Sequence, residues 1–313
     1  MTNRQRGKKK SFGKIFLSVF LILLIVFTLG LFVIDKYGFF GLFGGDIMED
    51  ISPIAGGDSE FAKKYKDSKR VNVLLLGHNQ ELTDTIMLGS FDTELQRVDV
   101  ISVPRDTYYE RPDYPGAAYQ KINSVYKTEG VEKAAEAVSN VLSGVPIHFY
   151  EIISDDGVAH IVDAMGGVEI DVPMDMKYTD LDQDLYIDLK KGNQVLTGDQ
   201  AVQFLRFRKG YPTGDIGRVE AQQNFIKEAF KQSIGFGFPK VAKAVMEEVD
   251  SNMKLKMAVR IAGKAVGMDT EDIATYMTPG ESSTFNGASY FLVDEGKTAE
   301  MMNTIYSMVP PEE

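Results

Sequence analysis

One uncharged, apolar run near the amino terminus constrains this chain more than any other feature of its sequence. Residues 15–34 contain no charged side chain and are rich in Leu, Ile, Val and Phe. As a helix, twenty such residues span about 30 Å, which is the thickness of the hydrocarbon core of a bilayer. Because a single helix satisfies its own backbone hydrogen bonds, it can cross this layer alone. The run therefore predicts a transmembrane helix.

The residues that flank this run predict its orientation. Residues 1–14 carry six Lys and Arg side chains and no acidic residue, and Asp35 follows the run directly. Positively charged flanks remain in the cytoplasm, so the sequence predicts a single-pass protein of the cell membrane with an extracellular carboxyl-terminal domain. The alternative is a cleaved signal peptide, whose apolar region is shorter and ends in small residues. Residues 32–35 offer no such site, which favours a retained anchor.

The rest of the chain is acidic and large enough to bury one sizeable core. The tail holds six of the 34 basic residues and none of the 45 acidic residues, which leaves 28 against 45 and a net charge of −17. This field disfavours nucleic acid as a partner. With no cysteine, an exported domain depends on its core and not on disulfides. We divide the chain into a cytoplasmic tail (1–14), a transmembrane helix (15–34), a juxtamembrane linker (35–69) and an extracytoplasmic domain (70–313).

Strand-like and helix-like patterns alternate irregularly through the extracytoplasmic domain. Two β-rich runs, 85–91 and 97–103, are joined by a turn-length segment and predict an antiparallel hairpin. Other strand patterns cover 71–77, 147–153 and 168–172, and the segments 273–277, 290–293 and 298–308 complete a mixed pattern. Helical patterns cover 131–142, 157–165, 197–205, 218–232 and 255–266. The predicted fold class is α/β, with a mixed, largely antiparallel central sheet covered by helices on both faces.

The predicted hairpin brings two charged residues together. If residues 92 and 97 face each other across the turn, position 84 faces position 105 at the open end of the hairpin. Asp84 and Arg105 are then expected side by side. The alternative to a functional role is a structural ion pair at the end of a sheet, which contributes only about 0–1 kcal/mol when exposed.

A second basic cluster lies between residues 204 and 222. In an extended segment Arg206 and Arg208 would point the same way, and Phe207 would point into the core. Arg218 and Gln222 are four residues apart and share one face of a predicted helix. With the arginine of the hairpin, these side chains would suit phosphate groups, because arginine binds phosphate oxygens bidentately. The alternative is a solvated basic face, since the spacing alone is not specific.

An ordered series of motifs runs from about residue 70 to residue 232. It comprises NVLLLG at 72–77, TDT at 83–85, SVPRDTY at 102–108, KINSVY at 121–126, GGV at 166–168, LTGDQA at 196–201, RFR at 206–208 and GDIGRVEAQQ at 214–223. This series resembles the LytR-CpsA-Psr family of cell-wall glycopolymer transferases. No single motif would carry the resemblance, but eight in order and at compatible spacing do.

The resemblance implies a specific reaction. Such enzymes take a glycopolymer, such as a teichoic acid or a capsular polysaccharide, from a polyprenyl-pyrophosphate carrier and transfer it to peptidoglycan. The resemblance also implies Mg²⁺ as a cofactor and an apolar pocket for the polyprenyl chain. Two alternatives remain open, namely hydrolysis of the lipid pyrophosphate and a non-catalytic, polyprenyl-phosphate-binding regulator.

The resemblance also implies roles for individual residues. Asp84 would bind magnesium, Arg105 and Arg206 would act in catalysis, and Asp106 would act with them by orienting Arg105. The implied pyrophosphate ligands are Arg105, Arg206, Arg208 and Arg218, supported by Gln222.

One position departs from the family pattern. Family members commonly carry an aspartate shortly after the glycine of the first strand, whereas His78 and Asn79 follow Gly77 here. Asparagine is a weaker ligand for magnesium, so either metal dependence is reduced or Glu81 substitutes. His78 is a candidate general base, although a single loop histidine is more often only exposed.

Overall fold

The computed structural model describes residues 46–79, 82–180, 185–207, 210–211, 247–265, 272–285 and 287–308, with isolated positions between 225 and 268. The predicted tail (1–14) and transmembrane helix (15–34) lie outside these residues, and so does most of the predicted helix over 218–232. Among the helices within the described ranges, none is long and apolar enough to cross a bilayer.

The predicted strands and helices that fall within the described residues are present in order. The structure adds five strands (Met176–Asp180, Leu185–Leu189, Gly192–Leu196, Val249–Ser251 and Gly280–Phe285) and two helices (Glu60–Lys64 and Val125–Glu129) that no pattern predicted, and the first of these helices lies in the predicted linker. The strands are β1 (Arg70–Asn79), β2 (Leu82–Asp92), β3 (Arg97–Ser102), β4 (Phe149–Ser154), β5 (Val168–Val172), β6 (Met176–Asp180), β7 (Leu185–Leu189), β8 (Gly192–Leu196), β9 (Val249–Ser251), β10 (Ile273–Met277), β11 (Gly280–Phe285) and β12 (Ala288–Val293). The α-helices are α1 (Glu60–Lys64), α2 (Val125–Glu129), α3 (Val131–Val141), α4 (Asp155–Met165), α5 (Gly198–Arg206), α6 (Leu255–Lys264) and α7 (Glu295–Tyr306).

A six-stranded sheet in the order β10-β3-β2-β1-β4-β9 forms the centre of the domain. The pairs β1–β2, β2–β3 and β4–β9 are antiparallel, whereas β1–β4 and β3–β10 are parallel. The predicted mixed, largely antiparallel sheet is therefore confirmed. The predicted hairpin is confirmed as well, with Asp92 opposite Arg97 and Met87 opposite Ser102.

Both faces of the central sheet are apolar and covered by helices. Along β1, Leu74 and Leu76 pack with residues of α3 and α7 on one face. Val73 and Leu75 point to the opposite face and belong to a cluster that includes Ile261 of α6. This alternation follows from the two-residue period of a strand, and β1 is apolar throughout because it is buried on both sides.

A third apolar cluster lies under the antiparallel pairs β5–β8 and β6–β7 and combines them with α4 and α5. Thr197 caps α5, since its side chain accepts from the Gln200 backbone and the Gln200 side chain accepts from the Thr197 backbone. This capping box satisfies two backbone donors that the helix itself leaves open. Phe207, just after α5, is buried as predicted.

Candidate active site

The predicted neighbours Asp84 and Arg105 are in contact. Nη1 of Arg105 donates to Oδ1 of Asp84, and both side chains are partly exposed, at 38% and 29% respectively. The β2–β3 ladder continues towards them, because the Val103 backbone N–H donates to the Ile86 carbonyl at 2.9 Å. The geometric prediction from the hairpin register is therefore confirmed.

Asp84 owes its position to a β-bulge that the sequence did not predict. Gly77 of β1 pairs with Thr85, and His78 pairs with Thr83, so Asp84 is the extra residue between them. A bulge bends the strand and redirects a side chain, and such features are common beside active sites. The bulge explains how Asp84 reaches Arg105 beyond the end of the regular ladder.

The segment after β3 holds Arg105 through its backbone. The Asn123 N–H donates to the Arg105 carbonyl at 3.2 Å, and the Ile122 N–H donates to the Thr107 carbonyl at 2.9 Å. Thr107 in turn donates its N–H to the Pro104 carbonyl at 2.9 Å. The SVPRDTY and KINSVY motifs are therefore two sides of one structure that fixes the backbone of the arginine.

Asp106 makes a different contact from the predicted one. Its carboxylate accepts a hydrogen bond from Nζ of Lys121 at 2.8 Å, whereas the guanidinium of Arg105 contacts Asp84. Nζ of Lys121 also lies 5.9 Å from the centre of the Tyr290 ring. Asp106 thus ties the segment after β3 to the KINSVY motif.

Arg206 is the last residue of α5 and does not lie in an extended segment. The prediction of an extended Arg206 was wrong because the capped helix continues one residue further than expected. Its Nη1 lies 3.3 Å from Oδ2 of Asp155, the first residue of α4, and the two side chains are 22% and 38% exposed. The structure thus adds Asp155, which the sequence analysis did not single out, to the candidate site.

A close approach between α4 and α5 fixes the geometry of this second ion pair. The Gly198 N–H donates to Oδ1 of Asp163 at 2.7 Å. A Cβ atom at Gly198 would lie 2.2 Å from the Ala159 carbonyl oxygen, so only glycine allows the helices to pack this closely. The glycine of the LTGDQA motif therefore has a structural role, which is to set α5 against α4.

The two ion pairs share one electrostatic environment. Burial raises the pKa of the Asp155 carboxyl, the Arg206 guanidinium opposes this rise, and the Asp84 carboxylate adds to it. His78 also lies close enough to lower the same pKa. The sheet explains this proximity, since His78 of β1 pairs with Thr83 of β2 on one side and with Ser154 of β4 on the other.

The remaining predicted site residues fall outside the described part of the chain. These are Arg208, Arg218, Gln222 and the possible substitute ligand Glu81. Asn79, which stands at the departure from the family pattern, forms the last residue pair of β1, with Leu82. Within the described residues there is no group of three or more His, Cys, Asp or Glu side chains that could hold a metal ion.

Comparisons with known proteins agree with the motifs. The family model described as "LytR_cpsA_psr family" matches residues 49–307. The polyisoprenyl-teichoic acid–peptidoglycan teichoic acid transferase TagU of Bacillus anthracis is 34% identical over 205 residues, which are 63% of this chain and 65% of that protein. The match therefore spans slightly less than two thirds of that relative.

Two solved structures share the fold. The crystal structure of B. subtilis TagV superposes with a TM-score of 0.59 at 24% identity and covers 77% of this chain and 98% of TagV. A structure of TagT bound to LI-WTA gives a TM-score of 0.56 at 21% identity and covers 77% of this chain and 90% of TagT. At these identities the likeness concerns the mixed α/β architecture.

Proposed function

This chain belongs to the LytR_cpsA_psr family, and on that basis we propose that it is a phosphotransferase that moves a glycopolymer from a polyprenyl-pyrophosphate carrier onto peptidoglycan. The observation that carries the proposal is the Asp84–Arg105 pair, which joins two motif residues at the bulged end of the central sheet. The substrate class follows from TagU, whose name states that it transfers teichoic acid from a polyisoprenyl carrier to peptidoglycan.

The reaction calls for positive charge at a fixed position. A hydroxyl oxygen of peptidoglycan forms a bond to the phosphorus next to the glycan, and the bond from that phosphorus to the polyprenyl phosphate breaks. Phosphoryl transfer of this kind depends mainly on positioning and on stabilising the charge of the leaving phosphate. Arg105 and Arg206 would bind the pyrophosphate oxygens, with Arg208, Arg218 and Gln222 added by the resemblance. His78 is a candidate to accept the hydroxyl proton.

The donor set also fits magnesium. This ion takes one or two carboxylates together with substrate phosphates and does not need a cage built entirely from protein. Asp84 is a partly exposed carboxylate beside Arg105, and it lies near enough to Asp155 to raise the pKa of the Asp155 carboxyl. We propose that Asp84 holds the ion. Bound magnesium would neutralise charge on the pyrophosphate, and the arginines would orient the same group.

We further propose that residues 15–34 anchor the enzyme in the membrane with residues 70–313 outside, and that the polyprenyl chain enters an apolar pocket between the sheet and its covering helices. The apolar clusters on both faces of the sheet are where such a pocket would open. An anchor raises the effective concentration of the domain near a lipid-linked substrate.

The proposed topology can be tested with protease. Protease added to intact cells should degrade the acidic domain, and a domain that stays protected until the cells are lysed would contradict this topology.

The function is tested with the full chain in detergent micelles. The protein is incubated with a labelled polyprenyl-pyrophosphate glycan and uncrosslinked peptidoglycan strands, with magnesium or with EDTA. We expect label on the strands, and we expect EDTA to lower the rate at least about tenfold, because a metal ion contributes several kcal/mol to such transition states. Adding magnesium back in excess of EDTA should restore the rate and serves as the control.

Other products would support the other functions. Free glycan in place of labelled strands would indicate a hydrolase. Bound lipid without transfer, under conditions where a TagU enzyme is active, would indicate a carrier or regulator. Transfer that is insensitive to EDTA would leave the transferase proposal standing and would contradict the role of magnesium.

A further inference from the structure

We propose that Asp155 is a positioning residue of this site, which holds the guanidinium of Arg206 opposite the Asp84–Arg105 pair so that both arginines face one pyrophosphate group. This inference rests on the proposed function and extends it to a residue outside all the motifs that carry the resemblance.

Asp155 is placed by the parallel pairing of β1 with β4. In that pairing Ser154, the last residue of β4, lies opposite His78 of β1, and His78 lies opposite Thr83 of β2. Neighbouring strands are about 4.8 Å apart, so the ends of β2 and β4 are separated by about 10 Å. Asp84 directly follows Thr83 in sequence, and Asp155 directly follows Ser154. The two carboxylates therefore flank the same end of β1.

Asp155 and Arg206 are in contact, and each of them is held at the end of a rigid helix. Ser154 caps α4, and its hydroxyl accepts from the Gly157 N–H at 3.0 Å. Asp155 is therefore fixed in the first turn of a capped helix. Arg206 is fixed at the end of α5, which Gly198 packs closely against α4. The ion pair of 3.3 Å thus joins two helix ends whose separation is set by packing. Without the carboxylate, the long arginine side chain would sample more rotamers.

The charge of Asp155 is unfavourable for the ligand that the site is proposed to bind. A carboxylate close to a pyrophosphate repels it, and Asp84 already contributes one such charge. An acidic residue here is therefore expected to weaken anion binding unless its contact with Arg206 matters more. The two effects have opposite signs, so a binding measurement separates them.

The test uses the full chain in detergent and the affinity for inorganic pyrophosphate in the presence of magnesium. Asp155→Asn keeps the shape of the side chain and removes its charge. If Asp155 positions Arg206, we expect this variant to bind pyrophosphate about 10- to 100-fold more weakly and to lose transfer by a similar factor. If Asp155 contributes only its charge, the variant should bind more tightly, and that result would overturn the proposal.

The matched control is Asp156→Asn. Asp156 lies in the same first turn of α4 and is exposed, so this variant makes the same charge change beside the same helix dipole. We expect its affinity to stay within about twofold of the unchanged protein. An equal loss in both variants would indicate a general effect on α4 and would contradict a specific role for Asp155.

A double-mutant cycle tests whether Asp155 acts through Arg206. In an Arg206→Ala background, Asp155→Asn should cause less than about a twofold further loss, because the contact that it removes is already absent. If the losses of affinity caused by Asp155→Asn and by Arg206→Ala add fully in the double variant, the proposal is refuted. Asp155→Glu, which retains the carboxylate, should recover part of the affinity and decides the question if Asp155→Asn does not fold.

The outcomes also separate this inference from the proposed function. If the unchanged protein binds pyrophosphate but transfers no glycopolymer, the proposed transferase function is contradicted. The double-mutant cycle of pyrophosphate affinities would still test the role of Asp155. An unchanged protein that transfers glycopolymer, with an equally active Asp155→Asn variant, would contradict the role of Asp155 alone.

Discussion

Replacing Arg105 by alanine is expected to lower kcat/KM for glycopolymer transfer by about 100- to 1,000-fold, which is the cost of losing one preorganised donor to a developing anion. Arg105 contacts Asp84 at the bulged end of the sheet, and its backbone is held by the KINSVY motif through Asn123. A guanidinium that is fixed in this way loses little freedom when it binds a phosphate, so most of its interaction is available to the transition state.

The fold should tolerate this change. The Asp84–Arg105 pair is partly exposed, and such pairs contribute only about 0–1 kcal/mol to stability. The thermal unfolding midpoint of Arg105→Ala should therefore stay close to that of the unchanged protein, and the loss of activity can be assigned to the site.

Initial rates over a range of donor concentrations measure the effect, with two further variants beside it. Arg105→Lys keeps the charge and removes the planar fork, so an intermediate loss is expected. Lys133→Ala removes a charge from an exposed pair with Glu136 in α3 and should leave the rate unchanged. Arg105→Ala with more than a tenth of the normal kcat/KM would show that this arginine is not part of the chemistry.

The sequence predicted the parts of the site that depend on local patterns. The turn between β2 and β3 set the register, and that register predicted Asp84 beside Arg105, although the bulge that redirects Asp84 was not predicted. Thr197 and Gln200 form a capping box that can be recognised from their spacing, so the start of α5 was predictable. The end of α5 was harder to predict, because positions 206 and 207 hold neither glycine nor proline, the residues that usually stop a helix.

The sequence could not predict the parts that depend on distant pairings. Asp155 enters the site because β4 pairs in parallel with β1, and these strands are separated by a long stretch of chain. The bulge at Asp84 likewise requires the pairing of β1 with β2 to shift by one residue. A signal for Asp155 did exist, since a capped helix with an acidic first turn follows a buried strand, but many helices begin with acidic residues for reasons of the dipole alone.

Replacing Asp99 by alanine is expected to have the opposite profile, with a large loss of stability and no direct effect on the site. Asp99 of β3 is fully buried and accepts from Nη1 of Arg70 at 2.8 Å and from Nε of Arg97 at 3.0 Å. The Arg70 side chain is itself buried, with 1% of its surface exposed. Removing the carboxylate leaves a buried guanidinium with Asp92, 3.5 Å from its Nε, as the remaining acidic partner.

Breaking a buried pair by removing one partner costs about 3–5 kcal/mol, because the other charge is left in a medium that solvates it poorly. For a domain of this size that corresponds to a fall of roughly 6–20 °C in the unfolding midpoint. Thermal unfolding of the full chain in detergent, followed by circular dichroism, measures this change. Glu136→Ala, which breaks the exposed pair with Lys133, is the control and should lower stability by no more than about 1 kcal/mol.

The two variants should therefore show opposite effects: Asp99→Ala loses stability, and Arg105→Ala loses activity. Asp99→Ala that is still folded at low temperature should transfer glycopolymer at a normal rate per folded molecule, since Asp99 pairs with Ser90 in the middle of the β2–β3 ladder and Arg105 lies beyond its end. Arg105→Ala should be stable and inactive. A loss below about 1 kcal/mol in Asp99→Ala would mean that Asp92 and Ser90 satisfy Arg70 without it, and the buried network would then not be a main source of the stability of this sheet.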